Sequence, residues 1–130
     1  MRFSIDLDSI DSIDFNLPSE FIEFLKIANA GFPRLNSLKI DSKNYDINNF
    51  LNFNKDAEVE SFKEYFEDFK DILASNEIPF GRDGFGNLYL LCLGDKNIIR
   101  FYEHESGEKE DLMSLESFID LILKGEGDEV

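Results

Sequence analysis

The segment Ile78–His104 has the sequence IPFGRDGFGNLYLLCLGDKNIIRFYEH. Within it, Leu88–Leu93 is the longest unbroken apolar run of the chain, and a six-residue run bounded by Asn and Gly is typical of a strand. Alternation along a strand places the even-numbered side chains of this run on one face and the odd-numbered ones on the other. Because neither face is polar, we expect the strand to be central and covered on both sides.

The residues on either side of this run predict its neighbours in the sheet. Turn-forming residues at 94–97 lead into a second strand over Ile98–Tyr102, so the two strands are expected to form an antiparallel hairpin. On the other side, the glycine-rich segment Gly81–Asn87 predicts a tight loop after a short strand over Ile78–Gly81. Three strands in a meander are therefore expected in the middle of the fold.

Two helices are predicted near the ends of the chain. Pro18 suits the first turn of one helix, which Gly31 follows. Ser114 caps the other, and Gly125 is expected to end it. Their apolar residues recur at helical spacing and should be buried: Phe21, Phe24, Leu25 and Ala28 in the first helix, and Leu115, Phe118, Ile119 and Ile122 in the last.

A further helix is predicted in the middle of the chain, where Ser61 and Glu64 form a capping box. Its apolar residues are Phe62, Tyr65, Phe66, Phe69, Ile72 and Leu73, which extends the prediction to Leu73. The opposite side carries Glu60, Glu64, Glu67, Asp68 and Asp71 against only Lys63 and Lys70. The helix is therefore expected to expose a negative ridge.

The remaining segments give weaker patterns. Phe3, Ile5 and Leu7 alternate like a strand, and Ile10, Ile13 and Leu17 are spaced like a short helix capped by Asp8 or Ser9. Two short strands are predicted over Leu35–Ile40 and Asn44–Asn48, and a polar connection over 104–113. This order of elements predicts an α+β fold. We expect a single domain over residues 1–125 and a short acidic tail over 126–130.

Composition narrows the classes of function. The formal net charge is −15, while 42% of residues are apolar and 14 are phenylalanine, which excludes a disordered chain. Such a charge repels nucleic acids and anionic membranes and attracts basic proteins, although a surface adapted only for solubility is an equal alternative. Cys92, the only cysteine, is expected to be packed. No run reaches transmembrane length and no signal peptide is apparent, which favours the cytoplasm.

The residues give no pattern typical of catalysis. The single histidine, His104, is flanked by Glu103 and Glu105, which in a strand would point to the opposite face. A metal site needs three or four converging ligands. The glycine-rich loop lacks the spacing of a phosphate-binding motif, and Asp83 would repel phosphate. We therefore predict no catalytic residue, no metal ligand and no enzymatic activity.

Four motifs follow one another in the chain: LPxxFxxFL at 17–25, IPFGxDGxGN at 78–87, IxFYxHE at 99–105 and SLxSFxxLI at 114–122. In this order and spacing they resemble the SUKH superfamily, in its Smi–Knr-type branch, which is named after a fungal cell-wall assembly regulator. The resemblance spans Leu17–Leu123. It departs from the family at Arg2–Asn16, which is short and rich in Asp where a longer first helix is usual.

The resemblance implies a compact domain with an antiparallel or mixed sheet, a central meander and three to four flanking helices, without a cofactor. Bacterial members are mostly immunity proteins that bind and neutralise a toxin domain, often a nuclease, and fungal relatives are regulatory interaction proteins. The leading hypothesis is therefore a non-catalytic immunity protein against a cationic toxin domain of a bacterial polymorphic-toxin system. The alternative is an intracellular regulatory adaptor that binds a host protein.

The candidate partner-binding residues come from two places in the sequence. The motifs contain polar residues that we expect to be exposed, and the predicted negative ridge contributes two acids. For each residue of the motifs, a purely structural role is the alternative. The candidates are Asp83, Tyr102, Glu103, His104, Glu105, Glu64 and Asp68.

Overall fold

Five antiparallel strands in a meander form the centre of the computed structural model, which describes residues 5–127. The elements in chain order are α1 Leu7–Asp11, α2 Ser19–Ala28, β1 Ser37–Ile40, β2 Lys43–Asp46, β3 Asn49–Phe50, α3 Phe62–Asp68, β4 Glu77–Arg82, β5 Leu88–Cys92, β6 Ile98–Tyr102, β7 Lys109–Ser114 and α4 Leu115–Gly127. The meander has the order β3-β4-β5-β6-β7, and β1 and β2 form a separate antiparallel hairpin. The predicted α+β class is confirmed.

Strand β5 lies in the middle of the five-stranded sheet, and every residue in it is buried. Tyr89 and Leu91 belong to the main apolar core, whereas Leu88 and Leu90 belong to a smaller cluster on the other face. The prediction of a central strand covered on both sides is therefore confirmed. Cys92 is buried as well, as expected for a small packed side chain.

The main core lies between the sheet and helices α2 and α4. Phe118 of α4 makes edge-on ring contacts with Phe24, Phe50 and Phe80, with centroids 5.5–6.3 Å apart. Edge-to-face packing suits the quadrupole of aromatic rings. The predicted stripe of α2 is buried throughout, and in α4 only Ile119 of the predicted residues is partly exposed. Phenylalanine packing therefore holds both helices on this face.

The second face of the sheet is covered by α3 and the turns after it. Tyr65, Phe69, Ile72 and Leu73 pack against the smaller cluster, which consists of Leu88, Leu90 and Tyr102. Ser61 caps α3 as predicted by accepting the N–H of Glu64. The predicted extension of this helix to Leu73 is wrong, because it ends at Asp68. Two backbone groups beyond that point bond to side chains of the sheet instead of continuing the helix.

Glu77 is the residue that attaches these turns to the sheet. Its side chain is 1% exposed, and its carboxylate accepts hydrogen bonds from Ala74 N at 2.7 Å, Lys109 Nζ at 2.7 Å and Arg100 Nη1 at 2.8 Å. Lys109 Nζ also donates to the carbonyl oxygen of Ile72 at 2.6 Å. Burial alone would raise the pKa of Glu77, but these hydrogen bonds outweigh it and leave the pKa below its ordinary value.

Two predictions near the C-terminus are wrong. The polar connection over 104–113 contains β7, which pairs with β6 at the end of the described sheet, where charged side chains are tolerated. Gly125 does not end the last helix, which continues through it to Gly127. A Cβ at Gly125 would lie 2.7 Å from Leu35 Cβ, so this glycine permits close packing. The helix thus includes Glu126 and Gly127 of the predicted tail, and residues 128–130 lie outside the described residues.

The N-terminal segment differs from its prediction as well. Leu7 begins α1 and does not continue a strand, and Phe3 lies outside the described residues. Asp6, rather than Asp8 or Ser9, caps this helix by accepting the N–H of Ser9 at 2.7 Å. Aspartate side chains favour such caps over strand interiors, which explains why the alternation was misleading.

Candidate protein-interaction site

The loop between β4 and β5, Asp83–Asn87, is organised by one carboxylate. Asp83 Oδ1 accepts the backbone N–H groups of Phe85 at 2.8 Å and Asn87 at 2.9 Å, and Oδ2 accepts Asn87 Nδ2 at 2.7 Å. Aspartate suits this role because its short side chain reaches backbone donors a few residues further on. Asp83 is only 4% exposed. The expectation that Asp83 is exposed is therefore wrong.

His104 joins this β4–β5 loop to the end of β6. Its backbone N–H donates to Asn87 Oδ1 at 3.0 Å, and its Nε2 lies 2.9 Å from the carbonyl oxygen of Phe85. Because a carbonyl oxygen only accepts, Nε2 carries a proton in this contact. Gly86 lies directly beneath the ring: its φ is +92°, and a Cβ there would be 3.0 Å from Nε2. The imidazole therefore lies close against backbone that only glycine can form without strain.

We expect Gly86→Ala to lower the free energy of unfolding by about 2 kcal/mol, because the new methyl group meets both a left-handed backbone and His104. Gly107→Ala tests the backbone alone, since φ is +75° there but the space is open, and should cost about 1 kcal/mol. Gly84→Ala meets neither obstacle and should stay within about 0.5 kcal/mol. Urea unfolding measures all three. Equal losses for Gly86→Ala and Gly107→Ala would contradict the contact with His104.

Beyond β6, the chain forms the turn Glu103–Glu108, which leads into β7. The N–H of Gly107 donates to the carbonyl oxygen of Glu103 at 2.8 Å, and the N–H of Glu103 donates to the carbonyl oxygen of Glu108 at 2.9 Å. Glu103, Glu105 and Glu108 are exposed on this β6–β7 turn, and none forms an ion pair with another described residue. A cavity of about 100 Å³ beside the turn is lined by Lys43, Phe101, Glu103, Glu108 and Glu110.

Tyr102, the last residue of β6, is 7% exposed and packs edge-on against Phe69 with the ring centroids 6.4 Å apart. Its predicted exposure is wrong, because the α3 segment covers this face of the sheet. His104, Glu103 and Glu105 are exposed, as expected.

The negative ridge of α3 is smaller than predicted. Glu64 and Asp68 are exposed, as expected. Glu60 instead faces inward, where its carboxylate bonds to Arg82 Nε, to Asn49 Nδ2 at 2.9 Å and to Tyr65 Oη at 2.9 Å. Burial alone would raise the pKa of Glu60, but these hydrogen bonds leave it below its ordinary value. Glu60 is therefore engaged within the fold and does not belong to an exposed ridge.

A family model described as SMI1-KNR4 cell-wall, SUKH_6, matches residues 11–119. The chain belongs to the SUKH superfamily. Neither the comparison with curated proteins nor that with solved structures found a match. SUKH membership supports a general role as an immunity protein or a regulator of the SMI1-KNR4 type, and it indicates protein–protein interaction as the mode of action.

The motif residues that indicated the SUKH resemblance have a visible structural task in this chain. Asp83, Gly86, Asn87 and His104 hold the β4–β5 loop and connect it to the β6–β7 turn. Glu64 and Asp68 belong to a different element, α3. The structure thus brings Asp83 close to the segment Glu103–Glu105, which contains His104. It places the two ridge acids elsewhere.

Sequence reasoning missed Phe85 of this SUKH domain. Its side chain lies at the β4–β5 loop and is 72% exposed. The available signal was an aromatic residue between Gly84 and Gly86, where neither neighbour has a side chain to cover the ring. Aromatic side chains, including Phe, are enriched at protein interfaces relative to the rest of the surface.

Within residues 5–127, no group of three or more His, Cys, Asp and Glu side chains is placed to hold a metal ion. Over the same residues, no helix combines the length and apolarity needed to cross a membrane.

Proposed function

We propose that this SUKH protein is an immunity protein that acts in the cytoplasm and neutralises a toxin domain with a basic surface, such as a nuclease domain of a bacterial polymorphic-toxin system. The observation that carries the proposal is the β6–β7 turn, where three exposed glutamates have no cationic partner among the described residues. Family membership supports a binding role, and the net charge of −15 favours a cationic partner.

The mechanism is capture and blockade without a chemical step. A nuclease presents basic side chains to phosphate groups, and the acidic surface of this chain offers carboxylates to the same side chains. Opposite charge mainly accelerates the encounter, whereas a few buried contacts set the dissociation rate. Occupation of the basic surface then excludes the nucleic acid.

The test is co-expression of the chain with a toxin domain encoded beside its gene. We expect wild-type protein to restore growth and to bind the purified toxin domain with an association rate that falls about tenfold or more between about 0.03 and 0.3 M salt. Failure of the wild type both to bind and to restore growth would overturn the proposal. A tight complex whose association rate is independent of salt would overturn charge attraction as its basis.

The second candidate is a regulatory adaptor, which the description of the matching family model, SMI1-KNR4 cell-wall, favours. In that case the partner is a protein of the host cell and no toxin is involved. Disruption of the gene distinguishes the two functions. An adaptor gives a growth or envelope phenotype without any toxin gene, whereas loss of an immunity protein is harmful only when the toxin is present.

A further inference from the structure

We propose that Phe85 is the aromatic anchor of the interface, and that it inserts into an apolar pocket of the partner rimmed by Lys or Arg side chains. This inference rests on the proposed function and specifies which surface of the chain makes the contact. The partner is a basic protein domain, and the acids of the β6–β7 turn meet its cationic rim.

The backbone of Phe85 is held in place without help from its ring. Its N–H donates to Asp83 Oδ1 at 2.8 Å, and its carbonyl oxygen accepts from His104 Nε2 at 2.9 Å. The ring itself is 72% exposed. A side chain presented on an ordered backbone loses little conformational entropy on binding, so more of its burial energy appears as affinity.

The β6–β7 turn, to which the Phe85 backbone is bonded through His104, is acidic. His104 contacts the backbone of Phe85, and the exposed Glu103 and Glu105 are its neighbours in sequence. Glu108, at the end of the same turn, is exposed as well, whereas Glu110 in β7 binds Lys43 at 2.8 Å. An exposed aromatic ring on a loop that is bonded to an acidic turn matches an apolar pocket with a basic rim, which makes a second copy of this acidic chain a poor occupant.

A second exposed apolar surface lacks this combination. Phe32 is 60% exposed beside a cavity of about 130 Å³ between α2 and α4, which Ile27 and Ile122 also line. The single acid in its lining, Glu126, accepts the backbone N–H of Arg34 at 2.7 Å. Charge therefore gives this cavity no preference for a cationic partner. Phe32 serves as a matched control for Phe85.

The experiment compares Phe85→Ala and Phe32→Ala in the full chain, with the toxin domain that the wild type neutralises as the probe. We expect Phe85→Ala to raise Kd at least about 30-fold, mainly through faster dissociation, and Phe32→Ala to change it less than about threefold. Phe85→Tyr keeps the ring and should stay within about fivefold of the wild type. Replacing both Glu103 and Glu105 with Lys should instead slow association about tenfold or more.

The thermal unfolding temperature of each variant shows whether it is folded. It should hardly change for Phe85→Ala, because the ring contributes little to the core. Unchanged binding by a folded Phe85→Ala protein that still restores growth would overturn the anchor and leave the proposed function intact. Loss of binding in Phe32→Ala alone would place the interface at the cavity between α2 and α4. If the wild type neither binds the toxin domain nor restores growth, the proposed function is overturned together with this partner assignment.

Discussion

Replacement of Glu77 by alanine should destabilise the protein by about 3–5 kcal/mol, the range for removing one partner of a buried ion pair. The carboxylate is 1% exposed and bonds to Arg100 and Lys109, which would be left without their shared partner on a covered face of the sheet. The N–H of Ala74 would lose its acceptor as well. Urea unfolding at neutral pH measures the change.

The matched control is Glu23→Ala. Glu23 pairs with Lys26 at 2.8 Å, but both side chains are largely exposed, so the loss should be below about 0.5 kcal/mol. If Glu77→Ala lowers the free energy of unfolding by less than about 1 kcal/mol, the structural role of this network is contradicted.

The effect of Glu77 should depend on pH in a defined direction. Because its pKa is lowered in the folded protein, its stabilisation is fully present above the ordinary glutamate pKa of about 4.3 and is lost as pH falls through the lower folded value. The difference in unfolding free energy between the wild type and Glu77→Ala should therefore shrink in acid. Glu60 also has a lowered pKa, but it is present in both proteins and cancels in the difference.

Replacement of Asp83 by alanine should cost about 2–4 kcal/mol, because three N–H groups in the β4–β5 loop lose a charged acceptor. Hydrogen exchange at the amides of Phe85 and Asn87 should accelerate more than exchange in the core strands. Through the loop, the same substitution should also weaken binding of the partner.

Asp95→Ala is the control for Asp83→Ala. Asp95 is an exposed acid in the turn between β5 and β6, so removing it eliminates one negative charge from a turn without removing the Asp83 contacts. It should change stability by less than about 0.5 kcal/mol. Similar losses for both variants would contradict the stabilising role of the Asp83 hydrogen bonds.

The apolar pattern was sufficient to predict the centre of the sheet. A strand without polar residues has to be covered on both faces, and β5 is buried along its whole length. The pattern failed for β7, where Lys109, Glu110 and Asp111 are charged because they bond to groups on other elements. Such partners are distant in sequence, so no local spacing indicates a strand there.

The candidate site shows the same limit. A glycine-rich loop was predictable from Gly84 and Gly86, but the direction in which Asp83 points depends on donors that the folded loop brings together. The burial of Tyr102 depends on the turn that carries Phe69 across the sheet. The glycines on either side of Phe85 indicated that its neighbours leave the ring uncovered, but only the three-dimensional arrangement shows that no described element covers it.

The two outer strands of the described sheet have a consequence for behaviour at high concentration. On one side the sheet ends in β3, which is two residues long, and on the other in β7, which begins with three charged residues. Short or charged edges give another molecule little backbone to extend by strand addition. The apolar β5 lies between them, so a chain with 14 phenylalanines is protected from aggregation until its sheet opens.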